Sequence, residues 1–238
     1  AIGDLLTLDN AAVPIQVIEE GPKWRGRVLN GGNVGSNKAA SIDRTISLPH
    51  LTEADREAIQ IGLQTGVTHF ALSFANRRSD VESLRNLVGN DMEIISKIES
   101  RSGLRNLQDI MAVSDAILID RGDLSREVAI ESLPFIQKEI ISQANMAQVP
   151  VYVATNLLES MVTSPHPTRA EVNDVINTLL DGADGLVLAA ETAIGQYPVQ
   201  CVSMINSIVG QYEAQSTASG LDQLESATST LVTPHGGV

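Results

Sequence analysis

Met92-Glu93-Ile94-Ile95-Ser96-Lys97-Ile98-Glu99 and Ala116-Ile117-Leu118-Ile119-Asp120-Arg121-Gly122-Asp123 are two apolar runs that each stop on charge. Runs of this kind, set between helical segments, read as parallel strands buried on both faces. An α/β protein places its chemistry at the carboxyl ends of such strands, where open loops are held by a rigid sheet. Lys97 and Glu99 lie two apart, so an extended backbone points both side chains the same way. With Asp123 arriving from the next strand, the pattern suits a divalent metal between Glu99 and Asp123, with Lys97 as an ammonium for an anionic substrate. A structural Lys–Glu pair at a strand end fits the triplet equally well, and the triplet alone does not separate the two.

Alternation of helix and strand runs outward from this centre, from Ser47 to the carboxyl-terminal region. Thr52 with Asp55 is a capping-box start, and Ala58, Ile59, Ile61, Gly62 and Leu63 form the apolar face of the helix behind it. Residues 67–74 read as a strand, and Ser79 with Glu82 opens the next helix through Leu84, Leu87 and Val88. Residues 103–113 read as one helix. A longer helix runs from Pro134 to about Ala147 with Phe135, Ile136, Ile140, Ile141 and Ala144 inward. Residues 149–155 form a strand, and Thr168 with Glu171 caps a helix over Val172, Val175, Ile176, Leu179 and Leu180. Residues 185–191 form the last strand, before a helix from Pro198 to about Tyr212. This makes five strands, ending near Phe74, Glu99, Asp123, Thr155 and Glu191. Strand–helix alternation with short loops implies a parallel sheet with right-handed crossovers. Five strands do not close a barrel of eight, so the sheet is either open or part of a larger barrel.

The first segment differs. Residues 4–9, 13–18 and 24–29 are short strand-like runs broken by turn residues, with no helix among them. Asn30-Gly31-Gly32-Asn33-Val34-Gly35-Ser36-Asn37-Lys38 is Gly-rich but precedes no helix, so a turn or hinge is the better reading than a phosphate loop. The expected organisation is a small β domain over residues 1–42, an α/β domain over 43–213, and a Ser-, Thr- and Gly-rich flexible tail over 214–238.

The 238 residues, 43% hydrophobic, are enough for a sizeable core. A net charge of −13 argues against nucleic acid and anionic membrane as partners. Metals and local cations can still reverse that sign inside a site. A single cysteine, Cys201, excludes an intrachain disulfide and fits a reducing compartment. Without a membrane-length apolar run or a signal-peptide pattern, the expected location is the cytoplasm. A first residue Ala1 in place of Met fits trimming or a fragment.

Ser96-Lys97-Ile98-Glu99, Asp120-Arg121-Gly122-Asp123-Leu124, Ala154-Thr155-Asn156-Leu157-Leu158-Glu159-Ser160-Met161, Pro167-Thr168-Arg169-Ala170-Glu171, Asp174-Val175, Asp181-Gly182-Ala183-Asp184 and Glu191-Thr192-Ala193 occur in this order. Together they resemble the pyruvate kinase family. The likeness extends to Ala71-Leu72-Ser73-Phe74 and to the Gly-rich loop, so it covers Ile2 to about Tyr212. It implies a (β/α)8 TIM barrel, here in part as strands four to eight, with part of a small β domain at the amino terminus. It also implies phosphoryl transfer between phosphoenolpyruvate and ADP, giving pyruvate and ATP in glycolysis, through a Mg-bound enolate.

On that resemblance Glu99 and Asp123 hold Mg²⁺ or Mn²⁺. Lys97 neutralises the phosphoryl oxygens, Gly122 admits substrate to the backbone, and Thr155 contacts the substrate or relays a proton. K⁺ is a second expected ion, although most of its usual ligands belong to family segments outside the matched region. The Arg that grips the substrate phosphate and part of the nucleotide site belong there too. Ala189-Ala190 stands where the family commonly has Ser-Gly, Ser125 where Gly is usual, and Asn156 where Gln, Lys or Met is common. Expected partners are phosphoenolpyruvate or pyruvate, with ADP or ATP, and either a second copy of the chain or a companion fragment. The alternatives are a truncated relative acting as a binding or subunit-interaction module, and metal-dependent 2-oxoacid enolate chemistry without nucleotide. Among other polar residues, Arg121 is expected to position Asp123, Arg169 to form a salt bridge, and Glu159 and Glu191 to partner buried cations. His50, His69 and His166 lack ligand spacing, and Cys201 with Leu157, Leu158 and Met161 reads as core.

Overall fold

The computed structural model describes residues 1–8, 13–36, 40–44, 46 and 48–217. Packing divides the chain into two units, Ala1–His50 and Leu51–Val238.

In the first unit, β1 (Leu5–Leu8), β2 (Val13–Glu19), β3 (Arg25–Val28) and β4 (Ala40–Ile42) form one antiparallel sheet in the order β3-β2-β1-β4. Three of these are the runs expected from sequence. The fourth, Ala-Ser-Ile, is too short to show a period, and it gains its place by pairing Leu6 with Ile42. Val13 and Val17 on β2 are the buried side chains of this sheet among the described residues. Within the Gly-rich loop, residues 30–36 form no helix, while Asn37 and Lys38 lie outside the described residues.

The second unit runs α1 (Glu53–Gln64), β5 (His69–Leu72), α2 (Arg78–Val88), β6 (Glu93–Ile98), α3 (Arg101–Arg105), α4 (Leu107–Met111), β7 (Ala116–Asp120), α5 (Arg121–Glu127), α6 (Leu133–Ala147), β8 (Val151–Ala154), α7 (Arg169–Leu180), β9 (Gly185–Val187), α8 (Ala190–Ala193) and α9 (Pro198–Thr217). Its five strands are parallel and lie in sequence order, β5-β6-β7-β8-β9. The strand order never reverses, so the sheet has no switch point, and all its carboxyl ends line one edge. Central β7 is buried at all of its residues, whereas edge strand β9 is only half-buried. Ile94, Ile98, Ile117, Ile119, Val151 and Val153 fill the core between sheet and helices. Each such side chain contributes about 1.5–3 kcal/mol when fully buried. A second cluster joins Leu157, Leu158, Met161, Val175, Leu179, Cys201 and Ile208. Among the described residues no helix is long and apolar enough to cross a membrane.

Local chemistry explains several helix starts. Thr52 and Asp55 form a reciprocal capping box on α1, as Thr168 and Glu171 do on α7. Elsewhere the structure corrects the sequence reading. The α2 start belongs to Asp80, whose carboxylate accepts from the Asn76 and Arg77 amides, and Glu82 instead pairs with Arg78. The helix expected over 103–113 is broken at Asn106, whose side chain donates to the Asn76 carbonyl at 2.7 Å. Phe135 and Ile61 are exposed. The 3.6-residue period places each about half a turn from the buried Leu133 and Ile59. The runs read to Asp123 and Glu191 end as strands at Asp120 and Val187, because the chain turns at once into α5 and α8. Helix α9 passes Tyr212 and enters the segment expected to be a flexible tail, and the rest of that tail lies outside the described residues.

Candidate active site

The site forms where β6 and β7 end side by side, with Ile98 paired to Ile119. Alternation along β6 buries Ile94, Ser96 and Ile98 and turns Lys97 to the opposite face. Glu99 follows on the Lys97 side. The Lys97 Nζ lies 2.6 Å from Oε1 of Glu99 and 3.2 Å from Oδ2 of Asp120. Glu99 is only 1% exposed, and its Oε2 accepts the Phe74 amide at 2.6 Å. Phe74 has φ +50°, a left-handed conformation rare for a non-glycine, and it aims that amide. Gly103 helps set the same turn. A Cβ there would come within 2.9 Å of the Ala75 carbonyl, so only glycine lets α3 approach so closely.

Oε1 of Glu99 is buried and, among the described residues, accepts no hydrogen bond; its contact is the Lys97 ammonium, in an ion pair at 2.6 Å. Burial pulls the Lys97 ammonium down, but contact with Glu99, its charge and that of Asp120 outweigh this and hold it above its ordinary value. Burial also pushes the Glu99 carboxyl up, against the pull of Lys97 and the Phe74 amide, and the charge of Asp120 adds to the rise. Lys97 is therefore charged, and its one ammonium faces both Glu99 and Asp120.

Asp120 ends β7 and caps α5, its Oδ1 3.4 Å from the Asp123 amide. Asp123 thus sits in the first turn of α5, not on the strand, and Arg126 pairs with it at 2.8 Å. Glu99, Asp120 and Asp123 each offer a carboxylate oxygen, all within 4.8 Å of one another. A set of hard oxygen donors, one of them buried without a hydrogen bond, fits a divalent cation such as Mg²⁺ or Mn²⁺.

Thr155 follows β8 and has φ +71°, with Asn156 at +55° behind it. Left-handed backbone at a β-branched residue is strained, and it is held from both ends. The Thr155 carbonyl accepts two bonds from Arg121, at 3.1 and 2.7 Å. Its Oγ1 accepts the Gly122 amide at 2.8 Å and lies 3.3 Å from Oδ1 of Asp120. A Cβ added at Gly122 would meet Asp120 and Thr155 only at 3.4–3.6 Å, an ordinary contact, so internal packing does not require glycine there.

The fold thus brings together all the residues singled out from sequence: Lys97, Glu99, Gly122, Asp123 and Thr155. Sequence reasoning missed Asp120, the Phe74 amide and Arg126. An Asp closing an apolar run just before a helix is an N-cap signal, and it would have found Asp120 and the true strand end. Arg121 does not position Asp123 but ties Thr155 to Asp174, the latter at 2.7 Å. Glu191 partners no cation among the described residues. It accepts the Leu158 and Ala189 amides at 3.1 and 2.9 Å, and exposed Glu159 binds the Asn156 side chain. Arg169 is exposed in the first turn of α7. Cys201 is buried in the second core, where burial and the Glu191 charge push its thiol up.

Residues 1–202 match the family model described as "Pyruvate kinase, barrel domain". The chain is 41% identical over 213 residues to a pyruvate kinase of Agrobacterium vitis, covering 87% of this chain and 44% of that one. It is 38% identical over 216 residues to a pyruvate kinase of Thermotoga maritima, covering 89% and 46%. Against human pyruvate kinase PKLR the identity is 39% over 218 residues, covering 90% and 38%. The chain spans less than half the length of these curated relatives. With a family match over most of its own length, the chain belongs to the pyruvate kinase family.

Proposed function

We propose that this chain carries the phosphoenolpyruvate side of a pyruvate kinase site, using Lys97, Glu99, Gly122, Asp123 and Thr155. In the reaction, the bond from phosphorus to the C2 oxygen of phosphoenolpyruvate breaks as a bond from phosphorus to an oxygen of ADP forms. The enolate left behind takes a proton at C3 to become pyruvate. Such transfers depend on positioning and charge neutralisation more than on covalent help. Glu99 and Asp123 would hold Mg²⁺ or Mn²⁺, which would supply part of that neutralisation when bound. Lys97, a fixed ammonium, neutralises phosphoryl oxygens. Gly122 leaves the backbone open to substrate, and the Thr155 hydroxyl is held beside it to orient the substrate or hand on a proton. K⁺ as a second ion and ADP as the phosphoryl acceptor are part of the same reading. So are a cytoplasmic location and association with a second copy or a companion fragment.

The observation that carries this proposal is the Glu99 carboxylate, buried beside Lys97 with an oxygen that accepts no hydrogen bond. Sequential parallel strands are also the order in a barrel wall, which supports reading the sheet as strands four to eight of a TIM barrel. The four antiparallel strands are then part of the small β domain.

The test is exchange of pyruvate methyl protons with D₂O, followed by NMR on the full chain. Exchange is expected to require added Mg²⁺ and to fall at least about 10²-fold in Lys97→Met and in Glu99→Gln. Exchange that persists unchanged in Glu99→Gln would remove this site from the reaction.

A further inference from the structure

Asp120 has no role in the family resemblance, yet it is the third carboxylate of the cluster. It is 8% exposed, and its Oδ2 lies 3.2 Å from Lys97 Nζ. One of its oxygens is within 4.8 Å of those offered by Glu99 and Asp123. Three acidic groups near one another are common without a ligand. Here a second observation stands beside them, the fully buried Oε1 of Glu99 that accepts no hydrogen bond. The local charges sharpen the point. Lys97 touches both Glu99 and Asp120, and Arg126 touches Asp123. Three carboxylates thus face two cations, and one of those cations serves two carboxylates at once.

We infer that Asp120 is a third carboxylate ligand of the divalent-cation site, beyond Glu99 and Asp123. This rests on the reading of Glu99 and Asp123 given above. In the structure Oδ1 of Asp120 lies near the Asp123 amide and the Thr155 hydroxyl, while among the described residues Oδ2 meets the Lys97 ammonium alone. Oδ2 is therefore the oxygen available to a cation. A site with three carboxylates binds a hard cation more tightly than one with two, because ligand charge count sets affinity for such ions. It also leaves fewer positions for water and substrate.

Asp120→Asn separates charge from structure, because Asn caps a helix about as well as Asp. Mn²⁺ binding to the full chain, followed by electron paramagnetic resonance of the free ion, is expected to weaken at least about tenfold in Asp120→Asn, or about 1.4 kcal/mol. Glu99→Gln serves as the control and is expected to lose at least as much. Loss in Glu99→Gln with none in Asp120→Asn overturns the assignment of Asp120 and leaves the two-carboxylate site standing. No loss in either variant overturns both. Should Asp120→Asn fail to fold, the unaltered chain decides the matter through the anomalous signal of Mn²⁺ in crystals. An ion ligated by Oδ2 of Asp120 supports the inference. An ion on Glu99 and Asp123, with Asp120 still on Lys97, defeats it.

Discussion

Lys97 Nζ lies 2.6 Å from Oε1 of Glu99, an oxygen closed off from solvent that accepts no hydrogen bond. The pair is an incomplete electrostatic arrangement, with Asp120 drawn onto the same ammonium at 3.2 Å. Removing the ammonium strands two carboxylates in a poorly solvated place. Lys97→Met is therefore expected to lower stability by about 3–5 kcal/mol without divalent ions. Mg²⁺ is expected to restore much of that loss while catalysis stays absent. Urea denaturation with and without Mg²⁺ checks this, and a variant as stable as the parent in the absence of metal would show that the ammonium contributes little to stability.

Thr155 is the next test, because its hydroxyl accepts the Gly122 amide from a strained backbone. Thr155→Val keeps the shape and removes the acceptor, leaving a partly buried amide unsatisfied at about 1–3 kcal/mol. Thr155→Ser keeps the acceptor and is expected to stay near the parent in stability. Equal melting temperatures for Val and Ser variants would mean that water replaces the hydroxyl without cost.

Gly122 separates packing from substrate access. An added methyl meets only ordinary contacts inside the protein, and alanine is the better helix former. Gly122→Ala is thus expected to fold normally while raising the KM for the 2-oxoacid or its phosphate ester. An unchanged KM would show that substrate does not approach this backbone.

The α7 cap gives a pH dependence. Burial pushes the Glu171 carboxyl up, but bonds from the Ser160 hydroxyl and amide and from Thr168 outweigh it and hold its pKa below the ordinary value of 4.5. A depressed folded pKa means stabilisation that is complete above the unfolded carboxylate pKa and is lost as pH falls through the folded one. Glu171→Gln is expected to be less stable than the parent near neutral pH, with the difference shrinking as pH drops below about 4.5. A stability gap constant between pH 7 and pH 3, measured by chemical denaturation, would contradict this.

What the sequence made legible was local or periodic. Both capping boxes, the strands around Lys97 and Val153, and the shared direction of Lys97 and Glu99 follow from spacings of two to four residues. What it hid depends on contacts between distant segments or on short signals. Arg121 reaches Asp174 from 53 residues away, and no pattern around Arg121 announces it. Asn106 breaks its helix because of a carbonyl on another loop. Asp120 was hidden inside an apolar run that extended too far on paper, since Arg121-Gly122-Asp123 reads as a strand end as readily as a helix start. The error moved Asp123 from α5 to a strand, yet left its carboxylate beside Glu99, because the α5 start directly abuts the end of β7.

If Glu99 and Asp123 hold a divalent cation, calorimetric titration of Mg²⁺ into the full chain registers the binding. Glu99→Gln and Asp123→Asn remove one charge each at nearly constant shape. The expected result is a single site in the unaltered chain, with affinity at least about tenfold weaker in each variant, or about 1.4 kcal/mol. Mg²⁺ affinity unchanged in both variants would remove the cation from this site and leave Lys97 and Glu99 as a buried structural pair.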